Sequence, residues 1–232
     1  MCSSVFRVFF FCLLCSGFAF GQTFGERLHA LRREDTVVYD FQQSVTLIRV
    51  VAVSDDTVEL RVATATKDAA EREGLSWLAW ADNGCPGAST DEVFKLRINN
   101  PPVLLSPEAH GAAWLITLFG LPSAPVSAGS RRKAGPAPMS GEIDLRAPWQ
   151  PRIIVDGHAV SSPSDAYSFH WPADNSVLSD RMIIAYFPRS GEAVPAFPYW
   201  IESPSSSGHA GVIDSRRYVN IFNPKAPSLS TP

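Results

Sequence analysis

Cysteine is almost missing from the part of this chain that has to fold. Of four cysteines in 232 residues, Cys2, Cys12 and Cys15 stand in the first fifteen positions and Cys85 alone lies beyond them. One thiol closes no internal disulfide, so stability must come from packing. Beyond residue 21 there is also no CxxC, HxH or HExxH spacing for a metal, and no GxSxG, GxGxxG or GxxxxGK[ST] for an acyl or nucleotide site. No motif asks for a cofactor. Basic excess is absent as well: 20 Lys and Arg stand against 23 Asp and Glu, a net charge of −3. A nucleic-acid surface needs a basic stripe, and the one basic cluster, Arg131-Arg132-Lys133, reads as a solvated loop tip, so no nucleic-acid partner is expected.

Long apolar runs are missing too, and the one that comes nearest is informative. Val8 to Phe20 (VFFFCLLCSGFAF) follows Arg7, and it is short of the roughly 20 residues that span a bilayer. Ala19-Phe20-Gly21 places small residues where a signal peptidase reads them, so residues 1–21 form a cleavable signal peptide and the mature chain starts at Gln22. An exported protein, periplasmic or secreted, is expected, with no integral membrane segment after cleavage. Lipid attachment at Cys15 is disfavoured because Leu13-Leu14 precede it.

What is present is strand pattern. Thr23-Phe24-Gly25-Glu26 has the form of a capping box ahead of Phe24, Leu28 and Leu31, which predicts a short first helix. From Thr36 the period is two: Val37, Tyr39 and Phe41 share a face, and SVTLIRVVAV (44–53) continues the extended segment. Ser54-Asp55-Asp56 turns the chain, and Val58, Leu60 and Val62 alternate with Glu59, Arg61 and Ala63, which makes a half-buried antiparallel hairpin. KDAAEREGLSWLAW (67–80) is helix-like at its start, with Gly74 interrupting it. DEVFKLRI (91–98) returns to alternation. Ser106-Pro107-Glu108 offers an N-cap and first turn for a second helix over AAWLITLFG, whose lack of a polar face predicts burial against a sheet. Residues 121–141, rich in Pro, Gly, Ser and Ala, read as a long loop. EIDLR, RIIVDGHAV with its Asp156-Gly157 turn, AYSFHW, DRMIIAYF, PAFPYWIES and HAGVIDSRRYVNIF read as strands, and residues 223–232 as a frayed tail.

Cys85 lies in LSWLAWADNGCPGAS (75–89), the stretch richest in chemical groups. Asp82, Asn83, Gly84 and Pro86 supply no neighbouring cation to make a thiolate, which favours a structural cysteine in a tight turn. His110, His158, His170 and His209 come from separate segments, and Glu142 with Asp144, or Asp214 beside Arg216, suit exposed strand ends, so no catalytic residue and no metal ligand is assigned. Six tryptophans remain. Trp77, Trp80 and Trp200, with Tyr199, sit near Gly and Pro and are the candidate lining of an apolar, solvent-accessible groove.

LSWLAWADNGCPGAS, GEIDLRAPWQP and FPYWIES…GVIDS resemble an uncharacterised family of exported proteins from intracellular Gram-negative bacteria, over most of the mature chain. That resemblance brings no activity. The order of elements also resembles, more distantly, the half-open β-barrel of periplasmic lipoprotein carriers. The expected architecture is therefore α+β: one domain over residues 22–222, a curved, mostly antiparallel, half-barrel-like sheet covered by two helices. The function expected is non-enzymatic binding of a lipid-like ligand or an envelope protein. Two alternatives stay open: a hydrolase-like enzyme using Cys85 or a His and carboxylate set, and a secreted effector acting on a host partner.

Overall fold

The computed structural model describes residues 22–218 except 73, 107–109, 177, 190 and 207. The signal peptide expected at 1–21 and the tail expected at 223–232 lie outside the described residues. In chain order the strands are β1 (Gln22–Thr23), β2 (Thr36–Asp40), β3 (Ser44–Val53), β4 (Thr57–Thr66), β5 (Thr90–Arg97), β6 (Val103–Leu104), β7 (Pro122–Pro125), β8 (Ile153–Val155), β9 (His158–Val160), β10 (Ser164–His170), β11 (Met182–Pro188), β12 (Trp200–Glu202) and β13 (His209–Arg216). The helices are α1 (Lys67–Glu71), α2 (Trp77–Asp82) and α3 (Ala113–Gly120), with a 3-10 helix at Phe24–Ala30. Among the described residues, no helix is long and apolar enough to cross a membrane.

Eleven strands join one antiparallel sheet in the order β1-β7-β10-β11-β12-β13-β2-β3-β4-β5-β6, and β8 and β9 form a separate hairpin. The sheet does not close, because β1 and β6 are its edges. Its longest pairing is β3 with β4, running from Ser44 opposite Thr66 to Val53 opposite Val58. Ser54, Asp56 and Thr57 hold that turn through side-chain hydrogen bonds. The expected continuous segment from Thr36 to Val53 is two strands, since Gln42 takes φ 68 and its amide donates to Asp40 Oδ1 at 2.8 Å, which turns β2 back onto β3.

Strand alternation places two cores on the two faces of this sheet. Val37, Tyr39, Ile48, Val50, Leu60, Val62, Phe94, Ile183, Phe187 and Ile201 face the larger core, which is completed by Phe24 and Leu28 of the 3-10 helix and by Leu115, Leu118 and Phe119 of α3. Each such side chain contributes about 1.5–3 kcal/mol of burial. Val38, Val45, Leu47, Ala63 and Ala65 face the other way and meet Ala70, Trp80, Ala81 and Cys85 from α1, α2 and the turn after them. Helical segments therefore cover both faces.

Several local expectations shift. Phe24 and Leu28 are buried as their spacing requires, but Thr23 makes no side-chain cap; its hydroxyl pairs instead with Asn100 Oδ1. Gly25 sits so close to the β5–β6 connection that a Cβ there would come within 2.5 Å of the Asn99 carbonyl oxygen and 2.9 Å of Pro102 Cδ. Pro107 and Glu108 lie outside the described residues, α3 begins only at Ala113 without a side-chain cap, and Ser106 Oγ accepts the Lys95 amide at 2.8 Å. The loop read at 121–141 contributes β7, which pairs with both β1 and β10. EIDLR is not a strand: Ile143 and Leu145 are 81% and 88% exposed. The Asp156-Gly157 hairpin forms as read, with φ 47 and 76 at the two turn residues.

Candidate functional site

The β12–β13 hairpin presents alternate side chains to opposite faces of the sheet, and a hollow lies on each side of it. Trp200 and Gly211 line the first, of about 420 Å³, together with Asp40, Trp149, Arg152 and Ile154. Ile201 and Ala210 line the second, of about 520 Å³, with Phe41, Trp114, Trp171, Leu178 and Arg181. Gln42 and His209 border both.

Stacked rings build the wall of the first hollow. Trp200 lies flat over Gly211, where an added Cβ would come 2.8 Å from its Cε3. On one side it stacks on His209 at 4.6 Å and 17°, and on the other it meets Trp149 at 5.4 Å. The Arg132 guanidinium covers Trp149 at 3.8 Å, so this arginine is part of a stack at the base of its loop rather than a solvated tip. Glu202 ties the group together: Oε2 accepts the Trp200 indole N–H at 2.8 Å, Oε1 accepts the Tyr186 hydroxyl at 3.1 Å, and Arg132 pairs with it at 3.7 Å. Burial, then the Glu202 charge, pushes the Tyr186 phenol up to about 12, so Tyr186 stays a donor.

The second hollow is a notch in the rim of the larger core. Trp114 of α3 meets Tyr39 and Phe41 edge-on at 5.4 and 5.2 Å, and Trp171, 2% exposed, is fixed by its indole N–H donating to Asp174 at 2.8 Å. Leu178 and Ile201 complete an apolar wall. Exposed Arg181 stands beside it, and its guanidinium makes no hydrogen bond or ion pair among the described residues.

The four aromatics nominated from sequence are not brought together. Trp80 is 0% exposed and Trp77 half-buried, both packed in the smaller core beneath α2. Tyr199 is 1% exposed: its hydroxyl donates to Ser215 Oγ at 2.8 Å and accepts the Val194 amide at 3.0 Å. Tyr199 and Trp200 both border the first hollow, Tyr199 buried and Trp200 half-buried within its stack of rings. The residues missed were Phe41, Trp114, Trp149, Trp171 and Leu178; Trp114 was read as core within an apolar helix, and nothing in the local spacing of the others marks them.

Cys85 is 3% exposed, and burial pushes its thiol up to about 11 despite the nearby Arg61. That is the opposite of what a nucleophile needs. Asp214 is not on an exposed strand end: it is 4% exposed and accepts the Gly157 and Ser215 amides at 3.0 and 2.8 Å. Among the described residues, no group of three or more His, Cys, Asp or Glu is placed to hold a metal ion.

A family model described as CT021 protein matches residues 46–161, half of the chain. The chain belongs to the CT021 protein family. Among solved structures it is similar to the "2.0A resolution structure of the hypothetical protein CT021 from Chlamydia trachomatis", with a TM-score of 0.54 and 19% identity over 89% of this chain and 98% of that one. At that identity the likeness shows the fold. No curated protein matches the sequence. The CT021 match runs from β3 to the β8–β9 hairpin, so it takes in Trp114, Trp149, Arg152 and Ile154 but not Phe41, Trp171, Leu178, Arg181 or the β12–β13 hairpin. Both hollows thus lie across the border of the matched span.

Proposed function

We propose that this chain is an exported, non-catalytic binding protein that holds a small amphipathic, lipid-like ligand in the hollow between Phe41, Trp114, Trp171, Leu178 and Ile201. The observation that carries this reading is the hollow itself: about 520 Å³, walled by aliphatic and aromatic side chains, with one unpaired guanidinium beside it. Sites for small molecules are commonly about 300–1,000 Å³, mostly apolar, with a few polar groups that orient the ligand. The acyl part would occupy the wall of rings and Arg181 would meet an anionic head. The sheet's two edges bear on this picture through the Thr23–Asn100 and Gly25–Asn99 contacts, which support a curved, half-barrel-like sheet whose open rim is the mouth of the site. Export belongs to the same reading and is carried by the apolar run at 8–20 and the small residues before Gln22.

The test uses an uncharged apolar fluorophore, N-phenylnaphthylamine, displaced by decanoate. Saturable binding and displacement are expected, with a rise in melting temperature by mass action on the native state. Arg181→Gln should weaken decanoate while leaving the uncharged probe unchanged. No saturable binding, together with an unchanged melting temperature, removes this reading.

A further inference from the structure

Between β7 and β8 the chain leaves the body of the protein and returns. Its outgoing leg and its returning leg are joined by an antiparallel bridge between Lys133 and Pro148, by the Ala134 amide donating to the Ala147 carbonyl at 2.9 Å, and by the Trp149 amide donating to the Arg132 carbonyl at 2.7 Å. Beyond this two-stranded stalk the tip is braced from inside. Arg146 Nε pairs with Asp144 at 2.9 Å, another Arg146 nitrogen donates to the Gly135 carbonyl at 3.0 Å, and Glu142 Oε2 accepts the Met139 amide at 3.0 Å. These exposed polar groups thus satisfy one another within the tip. Three apolar side chains are left outside: Met139 at 75%, Ile143 at 81% and Leu145 at 88% exposure.

Three large apolar side chains exposed within the seven residues 139–145 are more than the single exposed apolar residues common on surfaces, and such a concentration marks an interaction surface. The collar of the finger narrows the choice of partner. Arg131, Arg132, Lys133 and Arg146 outnumber Glu142 and Asp144 in a chain whose net charge is −3. Arg146 pairs with Asp144, Arg132 with Glu202, and Arg131 donates to the Val126 and Ser164 carbonyls, which leaves Lys133 outside those pairs. Trp149, a ring that suits the boundary between apolar and wet surroundings, sits at the base under Arg132. Three side chains also cover well under the roughly 800 Å² that each partner buries in a standard protein interface. Passing a few apolar side chains below lipid headgroups, with cations left among anionic ones, needs no such area.

We infer that residues 131–149 form a membrane-docking finger, whose Met139, Ile143 and Leu145 enter the interfacial layer of a bilayer rich in anionic lipid. The inference is independent of the ligand hollow, which the finger's tip does not line. The experiment is co-sedimentation with phosphatidylcholine vesicles containing increasing phosphatidylglycerol. The apolar run at 8–20 is common to both chains, so the reading is the difference between wild type and Ile143→Asp/Leu145→Asp in otherwise identical chains.

The double variant is expected to partition at least about tenfold less, with an unchanged melting temperature because both side chains are already in water. Wild-type partitioning is expected to rise with phosphatidylglycerol and fall with salt. Met139→Asp, at a separate position on the tip, gives an independent reading should the pair disturb folding. Equal partitioning of wild type and both variants, or a wild type that stays in the supernatant at every composition, overturns the inference. So does a wild-type dimer that the double variant converts to monomer in sedimentation velocity, without any difference on vesicles, because the finger then contacts a second copy.

Discussion

Trp80 and Cys85 hold each other in place: the Cys85 amide donates to the Trp80 carbonyl at 3.0 Å, and the Trp80 indole N–H donates to the Pro86 carbonyl at 3.0 Å. The loop after α2 is thereby clamped onto the helix, with the cysteine at φ 58 and its thiol turned into the smaller core. At pH 8 the Cys85 thiol should react with a disulfide reagent at least about tenfold more slowly in the native protein than in urea, since both thiolate fraction and access are reduced. Mass spectrometry of the Cys85 peptide reads this directly. A native rate matching that of a free cysteine peptide would contradict the structural role.

Trp80→Ala should cost about 3–5 kcal/mol of stability, the range for removing a large ring from a packed core. Trp200→Ala, which deletes a half-buried ring at the edge of a hollow, should cost about 1–2 kcal/mol. Urea denaturation of the two variants compares them. Equal costs would mean that Trp200 is as much a core residue as Trp80.

Gly25→Ala should destabilise by about 1–3 kcal/mol, because its methyl would be pressed against backbone at Asn99, which yields less readily than a side-chain tip. Chemical denaturation of this variant tests the approach of the 3-10 helix to the β5–β6 connection. A neutral result would show that the two segments part without cost.

Stability should fall at alkaline pH. Burial holds Cys85 at about 11 against an ordinary 9, and Tyr199 and Tyr186 at about 12 against an ordinary 10. Between the ordinary and the raised values the unfolded chain carries fewer protons than the native one, so the slope of stability against pH is negative from about pH 9 upward. At the acid end the sign reverses. The Arg61 hydrogen bond, opposed by burial, holds Asp91 below its usual 3.8, so that contribution is present above pH 4 and is lost as pH falls through the lowered value. Denaturant midpoints from pH 2 to 11 give both slopes; a midpoint that does not decline above pH 9 would contradict the alkaline half.

How much of this was legible depends on whether the partner of a pattern is near in sequence. The β3–β4 hairpin could be read because Val58, Leu60 and Val62 alternate next to the turn at Ser54-Asp55-Asp56, and their partners are the preceding ten residues. EIDLR shows the same alternation, yet it pairs with no strand among the described residues, and Ile143 and Leu145 are left in solvent. Alternation records a two-sided environment and not a hydrogen-bonded neighbour. The ligand hollow is the extreme case. Phe41, Trp114, Trp171, Leu178 and Ile201 come from separate segments, and only the three-dimensional pairing of β13 with β2 brings the first beside the last. Composition pointed to aromatics as a class, and it chose Trp80, which packing had already consumed.

The place of β13 has a kinetic consequence. Strands β2 to β6 are each paired with the next in sequence, so that half of the sheet can assemble from local contacts while the chain is still emerging. Its growth stops at β2, whose outer edge waits for a strand beginning at His209, some 170 residues further on. Until that strand arrives, a run of Val37, Val38 and Tyr39 offers unpaired amides and carbonyls to any other extended chain. The folding of this protein is therefore expected to be slow and limited by a single late insertion into the middle of the sheet, and truncations near residue 209 to aggregate rather than to yield a smaller soluble fold.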